Sequence, residues 1–168
     1  MGPCRQGPRA TTGISVGIPA YSRCQELMEL LQSIYEQSLL PAEITICEDK
    51  SPEREGIRKI VESWRDRFET ESCSVNYQEN EVNLGYDANL RKVIGVSHSP
   101  WVMLMGNDDL LMPRCIETAA QYIKATPQVR MISRSFMMFE GSRVKTLGVS
   151  RLTRDDQVFV AGKSSPAG

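Results

Sequence analysis

From Thr12 onward the spacing of apolar residues switches repeatedly between 2 and 3.6, which limits the chain to folds where strands and helices follow one another. Ile14, Val16 and Ile18 alternate as a first strand. Leu27, Leu30, Leu31 and Ile34 then fall at i, i+3, i+4 and i+7 of a helix, with Ser22 and Gln25 spaced as a capping box. Glu43 to Cys47 form a second strand through Ile44 and Ile46. Ser51 and Pro52 supply an N-cap and first-turn pair for a helix with the stripe Ile57, Ile60, Val61, Trp64 and Phe68. Ser74 to Gln78 give a third strand, followed by a turn at Asn83-Leu84-Gly85 and a helix with Tyr86, Leu90, Val93 and Ile94 on one face. Trp101 to Met105 make a fourth strand, Pro113 opens a helix with Ile116, Ala119, Ala120 and Ile123, and Val129 to Ser133 read as a fifth strand. Ser135 to Glu140 and Val144 to Val149 pair as a hairpin around Gly141-Ser142.

Strands joined by single helices make right-handed βαβ units, so the first strands lie parallel in one sheet with helices on both faces. Their carboxyl ends then share an edge, where ligands of open α/β sheets bind. That edge collects Pro19-Ala20-Tyr21, Glu48-Asp49, Asn83 to Asp87, and Gly106-Asn107-Asp108-Asp109. The last of these follows an apolar strand that stops abruptly in two adjacent carboxylates. Such a pair can hold a divalent cation against a phosphate, and it can equally make a turn or cap the helix near Pro113.

Composition narrows the classes. A length of 168 residues with 40% hydrophobic content suits one domain, over residues 13–150, between a flexible tail at 1–12 and a weakly structured one at 151–168. Twenty basic residues against 21 acidic ones give a formal charge of -1 with no basic block, so no nucleic-acid partner is expected. No apolar stretch approaches the roughly 20 residues of a membrane span, and the opening MGPCRQGPRATT lacks a signal-peptide core. Five scattered cysteines without a C-x-x-C pair argue against a disulfide framework and point to a reducing, cytoplasmic setting. His98 is the only histidine, so neither a Ser-His-Asp hydrolase nor a His-rich metal site is expected. Trp64, Trp101 and the methionines are packing residues, and Arg91 and Lys92 a solvated face.

In order, ISVGIPAYSR, ICEDKSPE, NLGYDANL and WVMLMGNDDLLMP resemble the successive blocks of family 2 glycosyltransferases across residues 13 to 140. The resemblance implies a GT-A fold, a Rossmann-like, mostly parallel sheet flanked by helices. It also implies transfer, with inversion, of a sugar from a nucleotide-diphospho-sugar of UDP, dTDP or GDP type to a sugar or lipid-linked acceptor hydroxyl, in polysaccharide or glycoconjugate synthesis. By the same resemblance Pro19, Tyr21, Asp49, Asn83, Gly85, Asp87 and Asp108 contact the nucleotide part of the donor, with Tyr21 against the base and Asp49 on its edge. Asp108 and Asp109 hold Mg²⁺ or Mn²⁺, with Asn107 as a neutral neighbour. An aromatic face suits stacking, and an ionised acceptor selects a base with a ring N–H. Gly85 suits a backbone turning closely toward a ligand, and Asp87 can alternatively cap the helix that follows. The chain departs from the pattern where relatives carry an acid at Gly106 or Asn107, which lowers the expected metal affinity. Lys50 has no role in the pattern. The acceptor-activating base belongs to a later segment in the family, so the chain is expected to be truncated at its C-terminus, to expose apolar surface and to self-associate. A donor-binding fragment without turnover and a doubly wound, Mg²⁺-binding signalling module are the alternatives.

Overall fold

The computed structural model describes residues 11–133, 136–140 and 142–150. The elements run β1 (Ile14–Ala20), α1 (Cys24–Tyr35), β2 (Glu43–Glu48), α2 (Arg54–Thr70), β3 (Ser74–Glu79), α3 (Tyr86–Val96), β4 (Trp101–Leu104), α4 (Cys115–Ala125), β5 (Phe136–Glu140) and β6 (Ser142–Ser150). Residues 1–10 of the expected tail at 1–12, the expected tail from residue 151, and Gly141 of the expected hairpin turn lie outside the described residues, whereas Thr11 bridges to Leu40 and Thr12 N donates to Leu40 O at 3.0 Å, so these two belong to the fold. The described residues fall into two compact units, with the division between Tyr122 and Ile123.

In the first unit β1 to β4 form one parallel sheet in the order β3-β2-β1-β4, as the α/β reading required. Val16 lies between Ile44 and Met103, and Ile44 pairs onward with Val75. The first two crossovers step outward and the third returns past β1. Right-handed connections therefore put α1 and α2, which pack together, on one face, and α3, which packs on β1 and β2, on the other. Both central strands are buried at every position, as strands covered on two faces must be. Leu27, Leu30, Ile34, Ile57, Val61 and Phe68 fill the α1–α2 side, and Tyr35 meets Trp64 and Phe68 edge-on, with ring centroids 5.8 and 5.5 Å apart. On the α3 side β1 presents Ser15 and Gly17. A Cβ at Gly17 would sit 2.5 Å from Val93 Cγ1 and 3.0 Å from Val102 Cγ1, so the missing side chain sets how closely α3 approaches.

Several local expectations give way to tertiary contacts. The Ser22–Gln25 box does not form: Arg23 is the N-cap, in left-handed conformation with no side-chain cap, and Glu53 Oε2 instead accepts from Cys24 N at 3.1 Å. Ser51 and Pro52 do not open α2, which begins at Arg54. The buried Glu48 carboxylate accepts Ser51 N at 2.5 Å and Lys50 N at 3.0 Å, and Ser51 Oγ is left buried without a hydrogen bond. On α3 the buried residues are Asn89 and Val93, whereas Tyr86 and Ile94 are exposed, because the Asn89 amide reaches the sheet and rotates the helix. Helix α4 starts at Cys115 rather than Pro113, after a left-handed Arg114. Val129 to Ser133 make no strand: Val129 N closes a turn on Thr126 O, and Met131 is exposed, so the run has no buried face.

In the second unit β5 and β6 pair antiparallel, with Met137 opposite Val149 and register shifts around Phe139, matching the expected hairpin. No described helix is long and apolar enough to cross a membrane.

At the amino ends of the strands, away from the acidic turns, Glu43 is buried and accepts from Ser15 Oγ at 2.6 Å and His98 N at 2.9 Å, with His98 Nδ1 2.8 Å away. Burial alone would push its carboxyl up, but the Ser15 and His98 hydrogen bonds together outweigh it and hold the group below its ordinary range. A carboxyl depressed in the fold stabilises above its unfolded pKa and loses that contribution as pH falls through the folded value. The urea midpoint is therefore expected to drop on acidification through the carboxylate range, and Glu43→Gln to flatten that drop; an unchanged acid slope would remove Glu43 from the account. Gly17→Ala is expected to cost about 1–3 kcal/mol in the same titration by overpacking against Val93, and an undiminished midpoint would show that α3 can move aside.

Candidate functional site at the carboxyl edge of the sheet

The parallel order brings all four expected turns to one edge. Pro19 is buried inside β1 opposite Cys47, so it shapes the strand end, while Tyr21, just beyond, is 48% exposed and free to offer its ring. Ser22 and Arg23 both take left-handed backbone, with φ 54 and 62, unusual for residues with a Cβ. The turn is held by Asn107 Nδ2, which donates to Ser22 O at 2.8 Å. Arg23 extends its guanidinium to Asp108, joining the β1 turn to the β4 turn a second time.

Asp49 follows β2 and is buried. Its Oδ1 accepts from Asn80 Nδ2 at 2.7 Å and Leu84 N at 2.8 Å, and its Oδ2 from Gly85 N at 2.9 Å. The carboxylate thus fixes the turn between β3 and α3. Asn83 Oδ1 also accepts Gly85 N at 2.8 Å, and Gly85 stands at φ 78, ψ 164, which a residue with a Cβ adopts only under strain. Asp87 is exposed in the first turn of α3, where its charge suits the helix dipole, but Gly85 is the N-cap.

A polar network behind this turn escaped sequence reasoning. Asn80 bridges Asp49 to Asn89 Oδ1 at 3.0 Å, Asn89 donates to Cys47 O at 2.9 Å, and Lys92 Nζ lies 2.6 Å from Asn80 Oδ1. Lys92 is therefore not the solvated residue its helical spacing suggested. Only the side to which Asn89 rotates the helix could have revealed it. Burial pushes the Cys47 thiol up, against the opposing Lys92 charge, so Cys47 is no nucleophile. Lys50, at φ 52, is exposed beside Asp49, its N–H tied to Glu48.

After β4, Asp109 Oδ2 accepts Gly106 N at 3.0 Å. A Cβ at Gly106 would meet Asp109 Oδ2 at 2.9 Å and Asp108 Oδ1 at 3.0 Å, so one oxygen of each carboxylate converges over the glycine. This is a small cradle of two hard oxygen donors, open because position 106 has no side chain. It fits Mg²⁺ or Mn²⁺, which are held by one or two carboxylates and complete their shells with water and phosphate oxygens. Asn107 is buried and turned to Ser22, so it serves the turn rather than the cradle. Among the described residues no group of three or more His, Cys, Asp or Glu could hold a metal ion.

Removing the Asp49 carboxylate would strand the Leu84 N–H at the β3–α3 turn and leave Gly85 N with Asn83 Oδ1 alone. Asp49→Ala is expected to cost about 2–3 kcal/mol and to speed amide exchange at Leu84 and Gly85 in hydrogen-exchange mass spectrometry. Unaltered exchange there would mean that the turn stands without the carboxylate.

A model of "Glycosyl transferase family 2" matches residues 15–157. The chain is 26% identical over 147 residues, 88% of its length, to abequosyltransferase RfbV of Salmonella typhimurium, and spans 43% of that protein. Among solved structures, S. aureus TarS in complex with UDP aligns with TM-score 0.59 and 21% identity, covering 68% of this chain and 32% of TarS. The mannosyltransferase PcManGT from Pyrobaculum calidifontis, in complex with GDP-Man and Mn²⁺, aligns with TM-score 0.57 and 18% identity, covering 74% and 36%. The chain thus spans less than half of the curated relative and of these two structures. The signalling-module alternative falls away, and the chain belongs to glycosyltransferase family 2, with a fold of the GT-A type.

Proposed function

We propose that the protein binds a nucleoside-diphospho-sugar at the carboxyl edge of its sheet and transfers the sugar, with inversion, to an acceptor hydroxyl of a growing polysaccharide or glycoconjugate. The observation that carries this reading is the convergence of Asp108 and Asp109 oxygens over Gly106, one strand from the exposed ring of Tyr21. Family membership, and neighbours bound to UDP and to GDP-Man with Mn²⁺, support it.

In this reading Tyr21 stacks on the base, and Asp49, beside it, presents the wall that meets the base edge. Because both Asp49 oxygens already accept hydrogen bonds, its second task is to hold Leu84 and Gly85 in place. Asn83, Gly85 and Asp87 then face the ribose and the sugar from the next turn, with Gly85 allowing close backbone approach. Asp108 and Asp109 hold Mg²⁺ or Mn²⁺, which when bound neutralises the charge that builds on the departing diphosphate. These residues orient the donor and stabilise its leaving group, and deprotonation of the acceptor requires a separate base.

Calorimetry with UDP, dTDP and GDP, with and without Mn²⁺, tests the site in the whole chain and in an Asp108→Asn, Asp109→Asn variant. One nucleotide is expected to bind in a Mn²⁺-dependent manner and to lose at least about tenfold in affinity in the variant, since each charged contact contributes roughly 1.5–3 kcal/mol. Absence of binding by the folded chain would sink the proposal. Binding without product in a sugar-transfer assay would identify a donor-binding portion that needs more of the protein for turnover.

A further inference from the structure

The donor-site reading gives Arg23 no task, yet the fold spends several contacts on holding it. Its backbone is left-handed, as is that of Ser22, and three partners keep both residues there. Asn107 Nδ2 holds Ser22 O, Leu27 N donates to Arg23 O at 3.0 Å, and Glu53 caps Cys24 N. With the backbone so fixed at the start of α1, the guanidinium crosses to the β4 turn and pairs with Asp108 Oδ2. The other oxygen of that carboxylate, Oδ1, is the one that converges with Asp109 over Gly106. One carboxylate thus faces both a cationic side chain carried on a fixed backbone and the cradle for a divalent ion.

The pair is also exchangeable. The side chains of Arg23 and Asp108 are 54% and 44% exposed, so water and ions reach both, and neither is locked as it would be in a buried pair. A divalent ion in the cradle competes with the guanidinium for Asp108. A guanidinium so released is a planar fork suited to phosphate oxygens, and a donor entering with the metal carries two phosphates to the same edge.

We propose that Arg23 is a positioning and binding residue that neutralises Asp108 while the site is empty and passes to the diphosphate when the divalent ion takes its place. The inference rests on the donor-site reading. It makes metal and nucleotide binding interdependent: Arg23 opposes Mn²⁺ alone and favours Mn²⁺ with a nucleoside diphosphate.

The test measures Mn²⁺ binding without nucleotide by electron paramagnetic resonance. It also measures, by calorimetry at saturating Mn²⁺, binding of whichever of UDP, dTDP and GDP the wild type takes. Arg23→Gln is expected to bind Mn²⁺ alone about two- to fivefold more tightly, the range of an exposed ion pair, and the nucleoside diphosphate about tenfold more weakly. Asn107→Ala cuts the neighbouring tether without removing a charge, and is expected not to tighten Mn²⁺ binding. Arg23→Lys is expected to restore most of the wild-type response to Mn²⁺ but only part of the nucleotide affinity. If the wild type binds both ligands and Arg23→Gln matches it, or if Asn107→Ala reproduces Arg23→Gln, Arg23 is only a turn anchor and the inference is overturned. If the folded wild type binds neither ligand, the donor-site reading fails and takes this inference with it.

Discussion

Two adjacent buried carboxylates at the end of β2 hold the functional edge together. Successive residues leaving a strand project to opposite sides, so Glu48 turns toward α2 and Asp49 toward α3. Burying two charges side by side is tolerable only if each is richly paired. Glu48 has the N–H groups of Lys50 and Ser51 and, at 2.5 Å, Arg54 Nε; Asp49 has Asn80, Leu84 N and Gly85 N. Each satisfied charge fixes a turn, and each turn fixes where a helix begins.

A second pair of turns is joined across β1 and β4, whose parallel register sets their spacing. Asn107 and Asp108 reach back to Ser22 and Arg23, so the acidic turn and the tyrosine-bearing turn are tied to each other at two points. Packing and site share this dependence, because Gly17 lets α3 lie close to β1 and the start of α3 is where Gly85 and Asp87 stand. The strands supply a rigid floor, and polar tethers between turns supply the precision that a donor site requires.

Legibility in the sequence varied with the physical origin of each feature. Strand and helix identity came through clearly at Ile14–Ile18 and along the Leu27 to Ile34 stripe, because apolar period is a local property. Helix starts came through poorly: Ser22 and Ser51 have the right chemistry for caps, but Glu53 and Glu48, arriving from elsewhere, took the donors first. The α3 face was misread because buried Asn89 and half-buried Lys92 belong to a polar network, and a hydrophobic stripe cannot report a buried amide. Val129 to Ser133 had strand composition but no buried face for it to occupy.

By itself the sequence determined the α/β alternation, the parallel sheet, the family and the turns that would gather at one edge, because these depend on period, connection handedness and the order of short motifs. Only the tertiary structure decided that Asp49 is committed to the Leu84–Gly85 turn, that Asn107 serves Ser22, that the Asp108 and Asp109 oxygens converge over Gly106, and that Arg23 stands opposite them. Those choices are settled by competition among distant donors and acceptors for the same few polar atoms. A linear pattern carries the identities of the competitors but not the distances that decide between them.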